Sequence, residues 1–154
     1  MKLVEAQELA KEVIKILFPL CVRIEVAGSI RRKKAEVRDV DIVLIPNLLV
    51  DIVGILQSKM QAKVEKRGKL IISLKIGDVG VDLNLATTEN FAPLLLFRTG
   101  SWESNMRLAT KAQQKGLKFS PYGVFNGDKR IDDNTEEGIF SALGEEYVPP
   151  EERN

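Results

Sequence analysis

Three aspartates occupy positions where a carboxylate is costly. Asp39 and Asp41 flank Val40 at the head of the β-branched run Val40–Ile45, and Asp82 lies inside the apolar triplet Val81-Asp82-Leu83. On a strand, residues i and i+2 project to one side with their Cα atoms about 7 Å apart. Two like charges so placed repel and lose solvation unless a cation neutralises them. Oxygen ligands alone favour Mg2+ or Mn2+. The chain has no histidine, so imidazole acid–base steps, Ser-His-Asp and Cys-His nucleophiles and His-ligated zinc are all excluded. If the strand carrying Asp82 pairs beside the one carrying Asp39 and Asp41, three carboxylates can hold two divalent cations about 3.5–4 Å apart. That arrangement suits in-line phosphoryl transfer.

A second constellation precedes the first by one short connection. The run Val22–Ala27 ends at Gly28-Ser29 and is followed by Arg31-Arg32. A strand that stops at Gly-Ser offers backbone N–H groups and a hydroxyl to an anion, and the arginines can neutralise a polyphosphate. Taken alone, a D-x-D occurs at solvated strand ends and a Gly-Ser at ordinary turns. Together, an anion site beside a cation site is what a triphosphate bridged to a metal requires, and the pair points to nucleotidyl transfer.

The elements that must hold these residues are legible in outline. Residues 4–17 show helical spacing, and Val22–Ala27 alternates as a strand. Val40–Ile45, closed by Pro46, reads as a strand covered on both faces. A second helix is expected over Leu48–Lys59 with Asn47 as its cap. Strands follow at Lys63–Lys66, Leu70–Ile76 and Val79–Leu85, joined at Arg67-Gly68 and Gly77-Asp78. Beyond Thr88, residues 90–98 and 101–115 read as helices broken at Thr99-Gly100. Short strands are expected at Leu117–Phe119 and Tyr122–Phe125, with a turn at Asn126-Gly127-Asp128. A capping box from Asn134 to Glu137 opens a last helix to Leu143, and Pro149-Pro150 ends the fold. The expected architecture is α/β (α+β): a mixed sheet with helices over residues 1–88 and a small α+β lobe over 89–154.

Size and composition agree with one compact fold. A chain of 154 residues buries roughly 68–70% of its unfolded surface and needs no disulfide or metal staple. Its single cysteine, Cys21, forms no internal disulfide and is compatible with a reducing cytoplasm. No apolar run reaches the ~18 residues of a membrane span, and the charged start (Lys2, Glu5, Glu8) does not read as a secretory signal. Charge is segregated: residues 1–130 carry 22 Lys and Arg against 14 Asp and Glu, and residues 131–154 carry one against eight. A basic stretch at 91–130 beside an acidic tail reads either as solvated faces or as the footprint of a phosphate-backbone binder. Trp102 is expected to pack in the second lobe or at a helix start rather than to stack on DNA, and Cys21, Met60 and Met106 to fill core space.

The segment GSIRRKKAEVRDVDIVL (Gly28–Leu44), followed by VDLNL (Val81–Leu85), resembles the catalytic core of the DNA polymerase beta-like nucleotidyltransferases. LLLFRTGSWESNMRLATKAQQKGLKFSPYGVF (Leu94–Phe125) and TEEGIFSALGEEYVPPEER (Thr135–Arg153) resemble the thumb of the family X DNA polymerases. The resemblance implies a palm at 1–88 and a thumb at 89–154. It implies Asp39 and Asp41 as ligands of two Mg2+ ions, with Mn2+ as a substitute, and Asp82 as ligand of the catalytic one and activator of a primer 3′-hydroxyl. Gly28, Ser29 and Arg32 would hold the triphosphate. Phe97 would pack on the nucleotide sugar, Gly100 would lie in a turn of unusual peptide geometry beneath the nucleotide, and Asn105 would read the minor-groove edge of the incoming base. Arg107 matches a template contact, and Lys111, Lys115 and Lys118 continue the basic stretch, joined by Lys33-Lys34.

Two positions depart from the pattern. Arg98 replaces a second aromatic, and Gly80 stands two before Asp82, where some relatives carry an arginine near the primer terminus. The segments resembling a lyase domain, fingers and a phosphoesterase are not expected in this chain, as in the smallest, viral-type members. The partners so implied are primer-template or gapped DNA and a deoxynucleoside triphosphate, with no membrane, acting as a monomer in the cytoplasm, a nucleoid or a viral factory included. Gap-filling DNA polymerisation is the expected activity. A template-independent or small-substrate nucleotidyltransferase, and a catalytically idle DNA-binding module, are its rivals.

Overall fold

In the computed structural model, which describes residues 1–154, helix α1 (Leu3–Leu17) buries Ala6, Ala10, Val13 and Leu17 along one stripe. Strand β1 (Cys21–Val26) leads into a single helical turn, α2 (Gly28–Arg31), and then β2 (Val40–Pro46), α3 (Ile52–Met60), β3 (Lys63–Arg67), β4 (Ile71–Ile76) and β5 (Val79–Leu85). The second half holds α4 (Phe91–Thr99), α5 (Trp102–Gln114), β6 (Lys118–Ser120), β7 (Gly123–Asn126), β8 (Lys129–Arg130) and α6 (Glu136–Ala142). A five-stranded sheet runs in the order β1-β2-β5-β4-β3, with β2 and β5 parallel and the other pairs antiparallel. Strands β6, β7 and β8 form a separate antiparallel meander. The expected mixed α+β fold is what is found, and no helix is long and apolar enough to cross a membrane.

Alternation along the strands decides the layering. Val40, Ile42 and Leu44 of β2, Ile72 and Leu74 of β4, and Val81 and Leu83 of β5 join Ala6, Ala10, Val13 and Leu17 of α1 and Ile52, Val53 and Leu56 of α3 in the largest core. On the opposite face, Val43 of β2 meets Phe91, Leu94 and Leu95 of α4. Ala92 and Leu96, from the same helix, pack instead with Leu108 and Ala112 of α5, Val124 of β7 and Ile139 and Phe140 of α6. Helix α4 is therefore shared between the sheet and the second lobe, and only part of the sheet's second face is covered.

The structure corrects several expectations. The connection after Gly28 contains the turn α2. Helix α3 starts at Ile52, because the Asp51 carboxylate accepts from the Gly54 N–H at 3.0 Å, whereas Leu48 and Leu49 are 93% and 106% exposed. Thr135, not Asn134, caps α6, accepting from the Gly138 N–H at 2.9 Å. The prolines do not end the fold: a 3-10 turn at Pro150–Glu152 carries Arg153 into the interior, where it is fully buried. Trp102 and Met106 are exposed, since both lie on the outer side of α5, away from its buried Ser104, Leu108 and Ala112. Cys21 and Met60 do pack against the main core.

Arg153 closes the junction between the lobes. Its Nη1 donates to Glu136 Oε2 at 2.5 Å and its Nε to the Val148 carbonyl at 2.8 Å, while the guanidinium lies over the rings of Phe140 and Tyr147. Arg31 of α2 donates to both oxygens of the same carboxylate, at 3.1 and 2.5 Å, and to Thr99 Oγ1 at 2.9 Å. Burial acts to raise the Glu136 pKa, but the donors and charges of Arg31 and Arg153 outweigh it and hold the carboxyl below its ordinary value. Its contribution to stability is thus complete above the unfolded pKa of about 4.5 and is lost as pH falls through the lowered folded value. Glu136→Ala should cost about 3–5 kcal/mol at pH 7 by leaving Arg153 buried and uncompensated. Urea unfolding would show this against an Arg38→Ala control, and the gap between wild type and variant should narrow in strong acid.

Candidate active site

The site grows from the junction of β1 with α2. The Ala27 N–H donates to the Asp41 carbonyl at 2.8 Å, tying the end of β1 to β2. Gly28 then takes a positive φ of 61°, and a Cβ at this position would overlap Asp41 Oδ2. Glycine is needed twice here, for the left-handed backbone and for the close approach to the carboxylate. Ser29 follows in the first turn of α2, where amides have no intrahelical acceptor.

Asp41 and Asp82 are Cα partners in the parallel pairing of β2 with β5, so their side chains project side by side on one face. Asp39 precedes β2 and lies over the neighbouring strand, with a Cβ on Gly80 falling 2.9 Å from Asp39 Oδ1. The Asp41 carboxyl is pushed up to about 6, first by burial and then by the charges of Asp82 and Asp39, against smaller opposing effects of Arg98 and Arg32. The trio thus shares one electrostatic site. It is not a preformed cage: no three acidic groups stand together at metal-holding spacing, and Arg38 Nε draws Asp39 Oδ2 aside at 3.1 Å. This corrects the expectation of three converged carboxylates. The donor set nevertheless fits a hard divalent cation, being all oxygen, partly buried and in excess of negative charge.

The two arginines of α2 are more engaged than anticipated. Arg31 is spent on Glu136 and Thr99. Arg32 donates through Nη1 to the Thr99 carbonyl, and its Nε is buried without an acceptor. Burial lowers the Arg32 pKa, with Asp41 and Glu103 opposing. The guanidinium therefore stands between the acidic trio and the start of the Gly100 turn, where a Cβ on Gly100 would lie 2.9 Å from Arg32 Nη1. The Gly100–Ser101 peptide is cis, in keeping with the unusual geometry expected there.

The structure also gathers Phe97, Gly100 and Asn105 at the α4–α5 junction. The Phe97 ring lies 4.6 Å from that of Phe119, and Asn105 Nδ2 donates to the Phe97 carbonyl at 2.9 Å. Asn105 Oδ1 is buried and has no donor. Of the basic residues on and beyond α5, Arg107 donates to the Asn154 carbonyl at 3.2 Å and Lys111 pairs with Glu145 at 3.4 Å. Lys33 pairs with Glu151 at 3.8 Å and Lys34 donates to Asn154 Oδ1. The acidic tail folds back over these cations, so they are not the bare patch that charge counting suggested, whereas Lys115 and Lys118 carry no ion pair. A groove of about 520 Å3 beside α5, lined by Trp102, Met106, Phe140 and Val148 among others, includes none of the acidic trio.

Sequence reasoning missed Asn84, which is buried on β5 and donates from Nδ2 to the Ile42 carbonyl at 3.1 Å. It also missed Thr99 and Glu136. Only a buried polar residue's partners reveal its role, and membership of a motif did not disclose them.

The DNA polymerase beta thumb family matches residues 94–154. The chain is similar to the DNA polymerase/3′-5′ exonuclease PolX of Bacillus subtilis, at 26% identity over 160 residues, covering 96% of this chain and 27% of that protein. It is also similar to human DNA-directed DNA/RNA polymerase mu, at 38% identity over 80 residues, covering 49% of this chain and 16% of that one. The chain thus spans about a quarter and a sixth of these two relatives. Among solved structures, polymerase beta of Leishmania infantum in a ternary P/T complex shares the fold with a TM-score of 0.83 at 22% identity, covering 100% of this chain and 76% of that one.

The raised Asp41 pKa carries a sign that can be measured. A carboxyl whose folded pKa exceeds its unfolded value opposes folding once it ionises, so stability should fall as pH rises from about 4 to about 6 and then level off. Asp41→Asn removes this penalty and should stabilise the metal-free protein at pH 7.5 by about 2–3 kcal/mol. At pH 4 the variant and wild type should unfold together. Thermal melts in EDTA at the two pH values check this.

Proposed function

We propose that this family X polymerase-like protein adds deoxynucleotides to a DNA primer 3′-hydroxyl, copying a template and filling short gaps during repair. The observation that carries this reading is the register of β2 with β5. It sets Asp41 beside Asp82 on one face, with Asp41 against the Gly28 turn, while Phe97 and Asn105 meet at the α4–α5 junction. The match of the second lobe to a polymerase thumb favours this over a small-substrate nucleotidyltransferase, and the Asp41 carboxyl, raised by burial and by the charges of Asp82 and Asp39, favours it over an idle module. In this reading residues 1–88 act as palm and 89–154 as thumb.

Asp39, Asp41 and Asp82 would hold two Mg2+ ions. Such ions, when bound, stabilise charge on the attacking and leaving oxygens of an in-line displacement. The protein's own groups do the positioning. Gly28 and Ser29 present N–H groups and a hydroxyl to the terminal phosphates. Arg32, freed from the Thr99 carbonyl, adds a fixed positive charge to them. Asp82 accepts the approach of the primer hydroxyl, and Asp39 and Asp41 lie toward the triphosphate. Phe97, backed by Phe119, gives the sugar a rigid apolar wall, with Arg98 leaving one flank of that wall polar. Asn105, whose Oδ1 lacks a donor, would turn from the Phe97 carbonyl to meet the base. Lys115 and Lys118 remain free for the DNA backbone.

Primer extension on open, one-nucleotide-gapped and nicked duplexes, with all four deoxynucleotides and ribonucleotide controls, tests this reading. Asp82→Asn and Asp39→Asn should abolish incorporation while retaining a cooperative melt. Mg2+ should raise the melting temperature of wild type more than that of either variant. Robust extension by a variant refutes the carboxylate assignment. Incorporation that ignores the template revives the template-independent rival, and no pyrophosphate release with any nucleotide leaves a DNA-binding module.

A further inference from the structure

Across the sheet, the row that carries the two paired carboxylates continues beyond them. Asp41 stands opposite Asp82, Asp82 opposite Ser73, and Ser73 opposite Lys66. Paired residues share a face, so one line of side chains runs from β2 to β3 and changes from two carboxylates through a hydroxyl to an ammonium. The adjacent row sets Gly80 opposite Lys75 and Lys75 opposite Lys63, with the Asp39 carboxylate lying over Gly80. Helix α4 covers this face at the end where Val43, Ile45 and Ala86 lie. Ser73, Lys75, Gly80 and Asp82 are half-buried and every residue of β3 is exposed. The uncovered part of the sheet is thus a shelf that starts at the acidic trio and ends in lysines.

These cations differ from those of the second lobe. Lys63, Lys66 and Lys75 have no carboxylate partner, and Lys75 Nζ reaches only the Asp78 carbonyl at 3.4 Å. Lys33 and Lys111, by contrast, are neutralised by the acidic tail. Strand spacing of about 4.8 Å puts Lys66 two strands, about 10 Å, from Asp82. Lys75 is the diagonal neighbour of Asp82, about 7–8 Å away.

We propose that Lys63, Lys66 and Lys75 form a phosphate track on the open sheet face that holds the backbone of the primer strand as its 3′ end reaches Asp82. This track rests on the polymerase reading, because it gives the shelf a strand that must end at the carboxylates. Each phosphate neutralised releases counterions, so the contribution is read in the salt dependence of binding, with a slope of about 0.9 per contact.

The test is fluorescence anisotropy of a labelled recessed-3′ duplex across a KCl series, with primer extension on the same substrate. Lys66→Gln/Lys75→Gln should weaken binding at least about tenfold and reduce the slope of log K against log [KCl] by about 2. It should raise KM for DNA with kcat little changed, at an unaltered melting temperature. Lys75→Arg should retain binding, and Lys11→Gln/Lys15→Gln, on α1 beneath the other face, should match wild type. A double variant that binds with wild-type affinity and slope, while wild type extends the primer, overturns the track and leaves the polymerase reading intact. A wild type that neither binds nor extends overturns both.

Discussion

A one-residue slip between β2 and β5 would carry Asp82 into the core beneath α1 and α3 and turn Leu83 out beside Asp41. The register that prevents this is set by apolar burial: Val40, Ile42 and Leu44 on one strand and Val81 and Leu83 on the other are all held on the covered face. The acidic site is the complement of that packing. Burial of the apolar face costs nothing electrostatically, and it leaves the carboxylates, with nowhere else to go, side by side at the uncovered end of the other face. Their mutual repulsion is a debt against stability that the large core is able to carry.

The Gly28-Ser29 turn is tied to both halves of the molecule. Gly28 and Asp41 fix it to β2, and the two arginines that follow reach the opposite way, to Thr99 and Glu136. Buried ion pairs of this kind contribute little net stability compared with apolar packing, and here their value is directional. The Arg31–Glu136–Arg153 set can be satisfied in one arrangement of α2, α6 and the C-terminal turn, so it specifies how the second lobe sits against the first. Arg31 and Arg32 are thereby placed by contacts made more than 60 residues away in sequence.

The regular part of this architecture was readable from residue types because it follows local periodicity. The runs around Asp41 and Asp82, the two helices broken at Gly100 and the hairpin at Gly127 all show a period or a turn residue that forces the outcome. The rest depends on distant partners. Nothing near Glu136 distinguishes it from Glu137, yet Glu136 is buried between two arginines and Glu137 is exposed. A string of acidic residues at 132–152 looks like a solvated tail because charge counting is blind to the cations that wait elsewhere on the surface. The start of α3 failed for a related reason: Leu48 and Leu49 continue an apolar pattern but have no surface to cover them. The row of lysines beyond Asp82 was equally invisible, since only cross-strand register brings positions 41, 82, 73 and 66 into line.

Helix α4 has a mechanical consequence. One flank is seated in the sheet through Phe91, Leu94 and Leu95, and the other in the second lobe through Ala92 and Leu96. An axle held in two bearings cannot swing freely. Opening either seam uncovers side chains whose burial is worth about 1.5–3 kcal/mol apiece, so displacement of the lobes is confined to small sliding of packed surfaces in place of a loose hinge.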